Sequence, residues 1–271
     1  MIVPDRVRKC VVFIGYQMAD GQSRLAGSGF FIGNDTSTDR AKDVFLVTAR
    51  HVIDGIRRLG ITDIFVRGNT TSATTVWAKC DSSDWRFHPT EPNVDIALLR
   101  TGVPSGWDHL AISTSMCATA EAMIANEVAL GDEVFITGLF RHHHGQQQNI
   151  PIVRVGNLAA LSEEKVVTKD YGPIDAYLIE ARSIGGLSGS PVFLNLGVVR
   201  FISGAVKHAT TGPIHLLLGL IHGHFDTQTS NVDEASEDSE VALSTARVNT
   251  GIAIVTPISK VLEAIELAGP A

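Results

Sequence analysis

The strongest constraint on the fold is the repeated appearance of short apolar runs rich in Val, Ile and Phe, each closed by Gly, Asn, Asp, Ser or Thr. A helix needs an apolar stripe sustained over three or more turns, and these runs stop too soon to provide one. They read as strands of an all-β protein. The candidates are Cys10–Tyr16, Gly29–Ile32, Val44–Thr48, Asp63–Val66, Ser72–Ala78, Ile96–Arg100, Glu133–Thr137, Ile150–Asn157, Ala176–Glu180, Pro191–Leu194, Val198–Lys207, His215–His222 and Gly251–Val255. That is more than one small barrel uses, so two barrels or sandwiches in tandem are expected. With 44% hydrophobic and 19% charged residues, the 271-residue chain has the material for two such cores.

Thr101–Leu130, with Pro104, Ser105 and Gly106 and then an Ala/Ser/Thr-rich run, lacks a strong strand and reads as a connection. The chain then divides into a first unit at 1–103, a link at 104–130, a second unit at 131–256 and a tail at 257–271. In that tail Ile258, Val261, Leu262, Ile265 and Leu267 recur at helical intervals between Pro257 and Gly269, which predicts a C-terminal helix packed on the second unit. Asp226–Glu240 is acidic and has no apolar face, so it is expected to be a long surface loop, placed where it could gate a cleft.

Twenty-two basic against 29 acidic residues give a formal charge of −7. That sign argues against a chain whose work is neutralising phosphates or anionic lipid, so neither nucleic acid nor a membrane is expected as a partner. Cys10, Cys80 and Cys117 have no metal-ligand spacing and leave at most one disulfide open. No apolar run approaches the length of a membrane span, and Arg6, Arg8 and Lys9 break up the N-terminal run, so the expected location is the cytosol.

Three segments each place a reactive side chain where an apolar run meets a turn: FLVTARHVI with His51, NVDIALLR with Asp95, and SIGGLSGSPVF with Ser188. A serine hydroxyl becomes a nucleophile when an imidazole takes its proton, and the imidazole needs a carboxylate on its other nitrogen to fix its tautomer. Gly185, Gly186 and Gly189 permit a tight turn whose amides could converge on an oxyanion, with Gly186 and Ser188 as the donors.

With these motifs together, the chain resembles the trypsin-like serine peptidases of the chymotrypsin fold. TARHV resembles that family's histidine motif, VDIALL its aspartate motif and GLSGSP the surroundings of its nucleophile. GSGFFIG resembles the strand before the histidine hairpin, and NTGIAIVTPISKVLEAI the last strand and terminal helix. The resemblance implies two six-stranded antiparallel β-barrels with a C-terminal helix, His51 and Asp95 in the first barrel and Ser188 in the second. It also implies endopeptidase activity on polypeptides through an acyl-enzyme, with no metal or organic cofactor. Val52 stands where the secreted digestive enzymes have cysteine, and Leu187 where they have an aspartate that pairs with a cleaved N-terminus. Both changes make the chain similar to bacterial HtrA-type protease domains, here without their PDZ domain. A catalytically silent binding domain and an esterase on the same triad remain alternatives.

By the same resemblance, Arg182, His222 and His224 fall near the substrate pocket, where a cation would favour an acidic residue before the cleaved bond. The favoured reading of Arg182, however, is a side chain pointing outward to solvent or to the acidic loop. His142, His143 and His144 are consecutive, so they splay or alternate faces and read as a solvated loop rather than a ligand set.

Overall fold

The computed structural model describes residues 2–33, 44–181, 185–208, 214–230 and 245–269. Its first half contains β1 (Val11–Gln17), β2 (Ser23–Gly33), β3 (Val44–Thr48), β4 (Asp63–Asn69), β5 (Thr75–Asp81), β6 (Arg86–Phe87), β7 (Ala97–Arg100) and β8 (Ile112–Ser113). These form one eight-stranded sheet in the order β5-β4-β1-β2-β3-β7-β6, with β8 parallel on β2. Phe13, Ile14, Phe30, Phe31, Ile32 and Leu46 on its strands are all fully buried, on both faces of the sheet. The first half thus has two more strands than expected, because the short pieces β6 and β8 join the sheet.

The second half contains β9 (Glu133–Gly138), β10 (Ile152–Ala160), β11 (Val166–Thr168), β12 (Gly172–Ile174), β13 (Tyr177–Glu180), β14 (Pro191–Asn195), β15 (Val199–Ile202), β16 (Ala205–His208), β17 (His215–Ser230) and β18 (Thr245–Pro257). Six of them close a barrel in the order β10-β13-β18-β17-β14-β9, while β11–β12 and β15–β16 are separate hairpins. The all-β, two-lobed expectation therefore holds.

Several local expectations change. Val198–Lys207 is a hairpin rather than one strand, turning at Ser203 and Gly204, whose φ values are 51° and 76°. The expected acidic loop starts later, because Asp226–Ser230 extend β17 and pair with β18 as far as Ser230 opposite Thr245. The rest of that segment, 231–240, lies outside the described residues. The link is not bare coil either: besides β8 it holds a helix, α3 (Ala120–Ala125), N-capped by Thr119.

Two further helices matter for the site. The first, α2 (Arg50–Arg57), buries Val52, Ile53 and Ile56. The C-terminal helix, α4 (Ile258–Leu267), forms as expected, but its buried face does not belong to the second barrel alone. Ile258, Val261 and Ala264 sit in the same apolar cluster as Phe13 and Leu46 of the first half. That cluster also takes in Phe135, Leu139, Phe193, Leu217 and Leu220, so the two halves share one core. Cys10, Cys80 and Cys117 are all free thiols. Among the described residues no helix is long and apolar enough to cross a membrane.

Candidate active site

His51 is the second residue of α2, immediately after β3 ends at Thr48 and Ala49 takes an extended conformation. The first turn of a helix leaves backbone N–H groups without partners inside the helix. Asp95 Oδ1 accepts that of His51 at 2.9 Å, and Oδ2 accepts from His51 Nδ1 at 2.7 Å. Asp95 is fully buried. It stands between β6 and β7, just beyond a turn in which Val94 N donates to Glu91 O. Arg50 fastens α2 to that approach by donating to Pro92 O at 2.8 Å and lying 4.5 Å from the Phe87 ring centre.

Ser188 is brought in from the other half by backbone contacts. Its carbonyl accepts from Ser28 N at 2.9 Å, and Gly189 N donates to Ile221 O at 2.9 Å. Thr48 Oγ1, three residues before His51, donates to Ser28 O at 2.6 Å. Ser28 Oγ also donates to Gly186 O and accepts from Leu139 N, both at 2.9 Å. A single buried serine on β2 thus joins the end of β3, the end of β9 and the Gly186–Ser188 turn. Gly189 has φ +80°, and a Cβ there would lie 2.3 Å from Ser28 O and 2.4 Å from Thr48 Oγ1. Only glycine allows that approach.

Gly186 has φ +106° and directs its carbonyl to the interior. Among the described residues, neither the Gly186 nor the Ser188 amide donates to a protein acceptor. His51 Nε2 and Ser188 Oγ are not hydrogen-bonded; among the described residues the His51 ring hydrogen-bonds to Asp95.

The other predicted residues separate. His222 lies beside the groove next to His51, and its Nδ1 lies 2.6 Å from Asp95 Oδ2, the oxygen that also serves His51. His224 Nε2 pairs with Asp226 Oδ1 at 3.1 Å. Arg182 lies outside the described residues. His142 and His143 are exposed, as a solvated loop would have them.

Two contributors escaped the sequence reading. Tyr171, in the turn between β11 and β12, sets its ring edge-on to His222 at 5.4 Å. Arg141, next to the histidine run, donates to Ala26 O at 2.8 Å and packs against Gly186. Nothing in spacing or periodicity marks either residue.

Burial works against the charged His51 ring, but the Asp95 carboxylate, by charge and hydrogen bond and with help from Asp170, raises it above the ordinary histidine range. Burial likewise opposes ionisation of Asp95, and His51 and His222 together outweigh it, holding the carboxyl well below its usual range. Burial, with the charge of Asp95, pushes the Tyr171 phenol up. Asp95 Oδ2 lies 2.7 Å from His51 Nδ1 and 2.6 Å from His222 Nδ1, the spacing of hydrogen bonds and shorter than the roughly 3.3 Å between ligand atoms around a tetrahedral zinc with bonds of about 2.0 Å. A second acidic and histidine group, His88, Glu91 and Glu263, is occupied by the Lys260 ammonium, 2.7 Å from Glu91 and 3.1 Å from Glu263.

Beside His51 a groove of about 650 Å³ is lined by Arg58, Tyr171, His222, His224 and Asp226 among others. β14 stops pairing with β17 at Leu220. From His222 onward, β17 therefore offers an edge toward this groove that no described strand covers.

The profile described as a trypsin-like peptidase domain matches residues 27–200, well over half of the chain. A comparison with curated proteins returns no match. Among solved structures, Rv3671c from M. tuberculosis H37Rv, a serine-to-alanine mutant in an inactive form, aligns with TM-score 0.48 and 16% identity over 98% of this chain and 90% of that one. Deg5 aligns with TM-score 0.45 and 18% identity over 69% of this chain and 75% of that one. By the profile match, which takes in the histidine, aspartate and serine segments alike, the chain belongs to the trypsin-like peptidase domain family.

Proposed function

We propose that the chain is a serine endopeptidase. Ser188 Oγ attacks the scissile carbonyl, His51 Nε2 takes its proton and returns it to the leaving amine, and the Gly186 and Ser188 amides receive the oxyanion. Asp95 holds His51 in the Nδ1–H tautomer and stabilises the imidazolium that forms. The observation that carries this reading is the buried Asp95 carboxylate, which grips His51 through both its backbone N–H and its Nδ1, together with a glycine turn whose Gly186 and Ser188 amides meet no acceptor among the described residues. The Ser188–His51 hydrogen bond this reading needs is of a kind that often forms or tightens only with substrate bound. The uncovered edge of β17 suits an extended polypeptide, which would add there as a further strand.

A fluorophosphonate probe tests the assignment. It should label the wild type and not Ser188→Ala, and labelled protein should lose peptide turnover. Absence of labelling would favour the silent binding domain, and turnover of esters without peptides would favour the esterase.

A further inference from the structure

Asp95 Oδ2 serves two imidazoles, and both approach it through Nδ1: His51 at 2.7 Å and His222 at 2.6 Å. The rings meet edge to face, 5.9 Å apart, and Tyr171 closes the outer side of His222. A deprotonated carboxylate only accepts, so both Nδ1 atoms must carry hydrogen. His222 is therefore held in the same tautomer as His51, with its Nε2 left over.

We propose that His222 is a positioning residue. By donating Nδ1–H to Asp95 it fixes the plane of the carboxylate and divides its charge, and so sets both the aim and the basicity of His51. The proposal rests on the peptidase reading for its effect on turnover, but the carboxylate sharing stands independently of it.

The geometry favours this role over a merely structural one. Asp95 has no contact with water, so its second lone pair on Oδ2 needs a donor within the protein. Tyr171 also stands close enough to feel the Asp95 carboxylate, but the two ring nitrogens at 2.7 and 2.6 Å are the close donors to that oxygen among the described residues. Among the described residues, the other charged groups lining the groove with His222 are Arg58 from the end of α2, Lys169 and Asp170 beside Tyr171, and His224 and Asp226 farther along β17. His224 and Asp226 are paired with each other, which leaves Asp95 as the partner that holds His222.

Two variants test the role. His222→Ala removes the donor, whereas His222→Asn keeps an N–H at a similar reach and cannot titrate. With the donor gone, Asp95 bears more undivided charge, so His51 should hold its proton more tightly. In His222→Ala the acid limb of the kcat/KM profile should move up by about one pH unit. Its kcat should fall about tenfold, the rate equivalent of one charge-assisted hydrogen bond, with KM little changed. His222→Asn should restore both.

NMR of protein with 15N-labelled histidine reads the same sharing without turnover. Two strongly deshielded Nδ1–H signals are expected, one missing in His222→Asn and both displaced in Asp95→Asn. The His51 titration should move upward in His222→Ala whether or not the protein cleaves peptides. The proposal is overturned if His222 carries its hydrogen on Nε2, or if a folded His222→Ala protein keeps the wild-type His51 titration. Loss of turnover in Ser188→Ala alongside an unchanged His222→Ala profile would reject His222 and leave the peptidase reading standing.

Discussion

Asp95 engages both carboxylate oxygens, and the titration of the whole site follows from that. Its carboxyl is held below the usual range, so its contribution to stability is complete above the unfolded value of about 3.9 and is lost as pH falls through the lower folded value. His51 is raised, so its contribution is complete below the unfolded value of about 6.5 and is lost as pH rises through the higher folded value. Asp95→Asn should therefore flatten the pH dependence of Tm at both ends, measured by thermal melts across the acid and neutral range. In the wild type the acid limb of kcat/KM should lie above about pH 6.5, since His51 must be neutral to accept a proton. At the backbone, Gly189→Ala should cost about 2–3 kcal/mol by denaturant unfolding, because it adds a clash to a positive φ. His51, Asp95 and Ser188 were legible because each reactive side chain sits between an apolar run and a turn. The place of His222 was not. Register shifts between Ile221 and Gly223 and again between His224 and Asp226 break the alternation that would put both histidines on one face.

Among elements, α4 has more to do than its amphipathic pattern suggested. Lys260 reaches Glu91, in the turn that presents Asp95, and Arg100 at the end of β7 donates to Gly269 O at 3.1 Å, so the helix buttresses the approach to the carboxylate. The Lys260 pair is partly exposed, so Lys260→Ala should cost about 1 kcal/mol or less in a denaturant titration. Val261→Ala, inside the shared cluster, should cost about 2 kcal/mol in the same titration from lost burial and the space left behind. Most strands were legible as uniform apolar runs, because their side chains are buried against the core. The β11–β12 hairpin that presents Tyr171 was missed for the opposite reason: its strands are three residues each, Gly172 and Pro173 break up the second, and Val167 is exposed, so no alternation builds up.

For the molecule as a whole, the shared core decides how it comes apart. Phe193 stacks on Phe135 at 5.1 Å, and both belong to the cluster that continues into the first half. Far-ultraviolet and near-ultraviolet signals should thus report one coincident transition for the entire chain. Phe193→Ala should lower stability by about 3–4 kcal/mol without splitting that transition. The halves could be told apart in the sequence, but their fusion could not, since periodicity reports that a face is buried and not what buries it.

Part of the contact between the halves runs through Gly27, Gly138 and Gly189, where an added methyl would meet Ser188 O, Ser28 Oγ and Ser28 O in turn. At these close approaches of backbone there is no side chain to vary. In a library of every single substitution, these three positions should tolerate fewer replacements than most residues in the groove, though none of them is assigned a chemical step.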